Sequence, residues 1–234
     1  MDPTRATWPR ASYEAGPRRH LSRGSRWKPQ VWEATTPDGA VRIVKDCRPL
    51  PWWSRWLARP LMGRERRILA RLEGVAGVPQ LAEALDRDAF AMDRLEGEPL
   101  TPETFRLAPR RLADQLQERA SALHQRGVFH LDLRQRQNLL VGPGLELQVV
   151  DFGAAWAPWA PLRWLFGGLL RRVDRSAALK YLARFAPEEL SSEEAEELWR
   201  GLRWRRLWIF SPYRSRGIEE VLQARRRGQD VSRS

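Results

Sequence analysis

The sequence predicts an α+β fold, and three observations carry that expectation. In the first third, short apolar runs bounded by turn residues follow one another, the pattern of antiparallel strands. From residue 109 onward, apolar residues recur at helical spacing. Between these regions Gly97 and Pro99 interrupt regular structure, which marks a boundary. The expected organisation is a basic flexible arm over 1–20, a sheet-rich part with one helix over 21–96, a mainly helical part over 97–227 and a flexible tail over 228–234.

In chain order, 31–34 is predicted as a strand, Asp38-Gly39 as a hairpin turn and 41–45 as the returning strand. Arg48 to Met62 is an insertion rich in Trp and Pro. Its interleaved Trp and Arg suit either a lipid headgroup layer or a cap over the sheet. A helix follows over about 63–72, with Ile68, Leu69 and Leu72 as its apolar stripe and Glu65 at the stripe's edge. Glu65 then faces either the interior or its neighbours Arg64, Arg66 and Arg67. Residues 75–80 turn, 81–85 and 89–92 are strands, and 109–126 is an amphipathic helix carrying Leu112, Leu116, Ala120 and Leu123. His20 and His124 are expected as surface or packing residues. A second hairpin pairs 139–141 with 147–150 around Gly142-Pro143-Gly144. Beyond it, 154–169 is apolar and too structured for a regulatory loop, and a helix is expected over 174–184. Ala186-Pro187-Glu188 follows that helix and leads into the next one, for which Ser191 to Glu194 is a capping box. Trp204 and 207–210 are core or a membrane-facing ridge, and 218–227 is a last basic helix.

Composition narrows the classes. One cysteine, Cys47, excludes an intramolecular disulfide framework and fits a reducing compartment. No signal peptide or 20-residue apolar span is apparent, so a cytoplasmic protein is expected, with a peripheral place at the inner face of the cell membrane as the extension of that reading. Net charge is +12, with only three lysines (Lys28, Lys45, Lys180) among 41 basic residues. Part of the arginine skew reflects genome composition; the rest implies an anionic partner. No nucleic-acid module is recognisable, and a high isoelectric point alone is unspecific, so nucleic acid is not the expected partner.

The chemistry concentrates in His130-Leu131-Asp132, Asn138 and Asp151-Phe152-Gly153. The second hairpin is expected to bring Asp132, Asn138 and Asp151 towards one place. Two carboxylates and an amide oxygen suit a hard cation such as Mg²⁺ and a hydroxyl that must lose a proton. Lys45 stands on a strand in a chain that almost always chooses Arg, although an exposed strand lysine is the bland alternative.

The order H-x-D, N, hairpin, D-F-G resembles the catalytic core of the protein-kinase-like fold. Asn138 follows Asp132 by six positions rather than five, which is more similar to the bacterial lipopolysaccharide (Kdo/heptose) kinases and the RIO-like kinases. The resemblance implies a small two-lobe fold whose N-lobe is 21–96 and whose C-lobe is 97–227. It implies ATP and Mg²⁺ as cofactors and transfer of the γ-phosphoryl group to a hydroxyl of a lipid-linked sugar or a protein. By the same resemblance Asp132 is the proton acceptor and Arg134 stabilises the transferring group. Asn138 and Asp151 hold Mg²⁺, and Lys45, placed by Glu65, neutralises phosphate oxygens. Backbone groups at Asp93 and Leu95 bind adenine, and Gly24 and Ser25 lie where a glycine-rich phosphate loop belongs. Residues 23–30 depart from that loop, having one Gly and a Pro. Leu131 stands where many protein kinases have Arg, which argues against control by an activation-loop phosphate. A RIO-like protein-serine kinase or ATPase is the second reading, and a non-catalytic nucleotide- or nucleic-acid-binding scaffold the third, favoured only by the poor glycine loop and the high isoelectric point.

Overall fold

A computed structural model describes residues 8–205. The chain divides into two compact units, Met1–Leu95 with Val150–Ala155, and Glu96–Val149 with Trp156–Ser234. Together they make an α+β protein built on a five-stranded antiparallel sheet, a three-stranded sheet and several helices.

The first unit runs α1 (Arg10–Ala15), β1 (Arg18–Ser22), β2 (Gln30–Thr35), β3 (Val41–Asp46), α2 (Trp52–Arg71), β4 (Leu81–Ala84) and β5 (Ala89–Asp93). The sheet order is β1-β2-β3-β5-β4 with every neighbouring pair antiparallel. Successive strand residues point to opposite faces. Val44 therefore packs into a cluster with Trp8, Tyr13, Ala34, Ala89 and Ala91, while its neighbour Lys45 meets α2. Residues 8–20 are thus not the flexible arm expected from their polarity. Trp8 and Tyr13 are buried, and Arg10 bonds Asp46 at 2.8 and 3.1 Å and also holds Asp86. Two aromatic anchors and one bidentate arginine outweigh the polar composition around them.

Helix α2 begins at Trp52, eleven residues before the expected start at Gly63, and carries Pro60 in its interior. Pro60 offers no N–H to the helix ladder, a loss that would ordinarily break it. A continuous buried stripe of Ser54, Ala58, Met62, Glu65, Ile68 and Leu69 crosses the proline and holds the helix together. Trp52 and Trp56 are 79% and 77% exposed, so they do not cap the sheet; Trp53 packs edge-on against Trp27.

The second unit contains β6 (Glu98–Pro99), α3 (Pro102–Leu107), α4 (Pro109–Gln125), β7 (Leu139–Gly142), β8 (Glu146–Val149), α5 (Ala160–Phe185) and α6 (Ser192–Arg205). Its strands pair in the order β6-β7-β8. Gly97 has φ +152°, and a Cβ there would lie 2.8 Å from the Val141 carbonyl, so only glycine lets the chain enter β6 this closely. Leu112, Leu116, Ala120 and Leu123 of α4 are buried against a core that includes Phe105, Phe129, Leu147, Val149, Tyr181 and Leu182. Helix α5 starts at Ala160, not at residue 174. Pro161 sits in its first turn, where proline is tolerated, and Gly167-Gly168 lie inside it. Pro187–Glu189 form one 3-10 turn, after which Ser191 and Glu194 exchange bonds of 2.9 and 3.2 Å as a capping box for α6. The expectations for 1–7, 207–210, 218–227 and 228–234, and for the Trp204 side chain, lie outside the described residues.

Candidate functional site

In the first unit three predicted residues meet. Lys45 Nζ lies 2.7 Å from Glu65 Oε1 and 2.8 Å from Asp151 Oδ1. Period-two alternation on β3 turns Lys45 away from the Val44 cluster. On α2, Glu65 belongs to the buried stripe, so it faces Lys45 rather than Arg64, Arg66 or Arg67. Burial by itself would lower the Lys45 pKa; the charges of Glu65 and Asp151 outweigh it and hold the ammonium above its ordinary value. Asp151 is in the left-handed region, φ 60°, a conformation asparagine and aspartate tolerate better than most residues. Its Oδ1 also accepts from the Gly153 amide at 3.3 Å, and Phe152 between them is buried as an anchor. Arg64 donates to the Gly153 carbonyl. The Asp151 side chain remains 54% exposed, the only one of the three carrying substantial open surface. The ammonium is thus fixed between two carboxylates, one of them buried and one solvent-facing.

In the second unit the loop after Phe129 is held from below. Asn138 is buried, and its Nδ2 donates to the Asp132 carbonyl at 3.1 Å and to Asp132 Oδ2 at 3.0 Å. Both bonds use the amine side, so Asn138 Oδ1 is the oxygen turned elsewhere. Arg134 donates to Ser176 Oγ on α5, which in turn donates to the Val173 carbonyl. Arg134 is therefore tied to the helix.

Three functional neighbours were not among the predicted residues. Asp174, buried on α5, accepts from the backbone amides of His130 at 2.9 Å and Leu131 at 2.7 Å. It also bonds the His124 ring at 2.9 Å, so His124 is a buried, hydrogen-bonded partner and not a surface residue. This clamp accompanies the left-handed turn at Leu131, φ 66°. Tyr181 donates to the Leu133 carbonyl at 3.1 Å, and Lys180 Nζ lies 3.5 Å from the Arg134 carbonyl. Burial and Arg184 push the Lys180 pKa down, against the opposing charge of Asp132. No sequence signal links these residues, more than forty positions away, to the loop they hold; the scarcity of lysine was the one available hint for Lys180.

The remaining predicted residues have local partners. Gly24 is left-handed, φ +67°, and its amide donates to Ser22 Oγ. The Ser25 amide donates to the Lys28 carbonyl, and Ser25 Oγ accepts from the amides of Trp27 and Lys28, each at 3.2 Å. The segment between β1 and β2 thus turns its amides inward. Asp93 donates its amide to the Gln80 carbonyl at 2.9 Å and pairs its side chain with Arg42; Leu95 is half-buried at the end of the first unit. Among the described residues no group of three or more His, Cys, Asp or Glu side chains could hold a metal ion. The hard-oxygen candidates are individual residues, Asp151 in one unit and Asn138 in the other. No family model matches the chain, and no curated protein matches it.

Proposed function

We propose that the chain is an ATP- and Mg²⁺-dependent phosphotransferase of the protein-kinase-like class, moving the γ-phosphoryl group to a hydroxyl. The observation that supports it most is Lys45 held charged between buried Glu65 and exposed Asp151. Phosphoryl transfer asks a protein chiefly for positioning and charge neutralisation, and these residues supply both. Lys45 neutralises non-bridging phosphate oxygens. Asp151 and Asn138 each offer Mg²⁺ a hard oxygen, and the metal supplies neutralisation of developing charge. Asp132, oriented by Asn138, accepts the proton of the acceptor hydroxyl. Arg134, tied to Ser176, acts through its positive field on the transferring group. The proposed acceptor is a sugar of a lipid-linked envelope saccharide, which would place the protein at the inner face of the cell membrane.

A second reading, a non-catalytic nucleotide-binding scaffold, is favoured by the inward-turned amides of Gly24 and Ser25. The test incubates the protein with labelled ATP and Mg²⁺, adding lipid or protein fractions separately. The expected outcome is label in the lipid fraction, abolished by Asp151→Asn with the thermal midpoint nearly unchanged. Label in the protein fraction would move the acceptor to a protein hydroxyl. Nucleotide binding without any turnover would establish the scaffold, and equal turnover by Asp151→Asn would remove Asp151 from metal binding.

A further inference from the structure

Helix α5 has two halves of opposite character. From Asp174 to Phe185 it is buried almost all round, including Ala177, Ala178, Leu179, Tyr181, Leu182 and Ala183. From Ala160 to Val173 the chain is the same continuous helix, yet Trp164 is 88% exposed and Leu165, Phe166 and Leu169 are exposed as well. At 3.6 residues per turn, Leu162, Leu165, Phe166, Leu169, Leu170 and Val173 fall on one contiguous arc, the spacing of a stripe made to be covered. Arg163 and Arg172 lie at its two edges, and Arg171 and Trp164 on the opposite side. None of these three arginines forms an ion pair with a described residue. The sequence from Gly153 to Val173 contains no acidic residue.

We propose that this half of α5 lies in the interface of an anionic lipid membrane, its apolar stripe in the acyl boundary and its arginines at the headgroups. Fourteen helical residues extend about 21 Å, short of the ~30 Å hydrocarbon core, so the geometry is that of a helix lying in the surface plane. No described helix is long and apolar enough to cross a membrane, in keeping with that orientation. The charge pattern selects the occupant. A second copy would set three unpaired arginines against their equivalents, on a chain already at +12, whereas anionic lipid neutralises them. The outer face of α2 is also rich in exposed Trp; of its cations, Arg59 pairs with Asp88 and Arg64 donates to Gly153. On α5 the exposed apolar stripe and three arginines without an ion pair to a described residue lie on one helix segment, which is why the proposal is placed there and the α2 face is tested beside it. This surface is separate from phosphoryl transfer, so its test does not depend on turnover.

The test is co-sedimentation of the full chain with phosphatidylcholine vesicles, with and without phosphatidylglycerol, at low and high ionic strength. Binding is expected on the anionic vesicles, falling about tenfold with salt. Phe166→Glu with Leu169→Glu, both at exposed positions, should lower binding about tenfold or more at low salt, with circular dichroism and thermal midpoint unchanged. Trp52→Ala with Trp56→Ala should keep most of the binding. Absence of binding to anionic vesicles overturns the proposal. Binding that survives the α5 substitutions also overturns it, whether salt-sensitive charge alone or the α2 face carries the contact. A dimer in lipid-free solution that the α5 substitutions dissociate would assign the stripe to a second copy and overturn it as well.

Discussion

Lys45 is one of three positions where this chain's preference for arginine fails, and here the geometry gives the reason. Its ammonium sits 2.7 and 2.8 Å from two carboxylates in a buried site, a point charge with three donors on a slim stem. A guanidinium is planar and wider, and it cannot enter between Glu65 and Asp151 without pushing one of them away. Lys45→Arg is therefore expected to lower ATP turnover at least about a hundredfold and to destabilise the fold by about 3 kcal/mol, as when a buried pair is broken. Turnover assays and urea midpoints on both proteins check this; equal values would mean that neither charge geometry nor burial matters at this position. The residue was legible because a rare lysine on a predicted strand stood out, and Glu65 because it lay at the edge of an apolar stripe. Arg134 shows where that kind of reading stops. Its spacing from Asp132 is plain in the sequence, but the Ser176 hydroxyl that receives its guanidinium lies on an element forty-two positions later.

At the scale of elements, regular patterns were readable and unpaired local signals misled. The β2–β3 hairpin, α4 and the Ser191 capping box follow from turn chemistry and periodicity within a few neighbouring residues. The early starts of α2 and α5 do not, because Pro60, Pro161 and Gly167-Gly168 read locally as breaks. In α2 a buried stripe spans the proline; in α5 Pro161 occupies a first-turn position. Helix α1 is not legible in the sequence because Trp8 and Tyr13 gain their value only against residues of β2, β3 and β5. The consequence for function is clearest in α5, whose Asp174 holds the turn carrying Asp132. Asp174→Ala leaves the buried His130 amide, the half-buried Leu131 amide and the His124 ring without their acceptor, at roughly 1–3 kcal/mol for each unsatisfied buried group. A loss of at least about 3 kcal/mol is expected, together with loss of turnover; Asp174→Asn, which keeps one acceptor oxygen, should recover part of both. Hydrogen exchange at the Leu131 amide reads the clamp directly. If exchange there is unchanged in the alanine variant, α5 does not hold the loop.

Across the whole molecule, charge makes stability fall on both sides of neutrality for different reasons. On the acid side, burial would raise Asp86 and Glu33, but arginine hydrogen bonds from Arg10, and from Arg19 and Arg94, hold both below the usual carboxylate range. Arg59 does the same for Asp88 and Arg110 for Glu194. A carboxylate with a depressed folded pKa stabilises fully above its unfolded value, and that contribution is lost as pH falls through the folded value. Loss is therefore expected below about pH 4. On the alkaline side the groups have raised folded values, and their contribution is present below the unfolded pKa and lost above it. Burial, followed by Asp88, pushes the Cys47 thiol from 9.0 up to about 12, and burial with Asp46 pushes Tyr13 from 10.0 up to about 12. Lys45 follows above 10.5. Lys180 works in the opposite sense: its depressed value means that charging costs stability, a cost relieved as pH rises towards 10.5. Cys47 has the lowest unfolded value of the raised groups, so it sets the alkaline onset. The expected profile of urea midpoint against pH is flat from about 5 to 8, falling on either side. In Cys47→Ala the acid limb should stay in place while the alkaline limb begins about one pH unit later, where Tyr13 and Lys45 take over. An alkaline limb that does not move in this variant would show that the buried thiol contributes nothing to it. A shifted acid limb would show instead that the substitution disturbs Asp88 and its arginine.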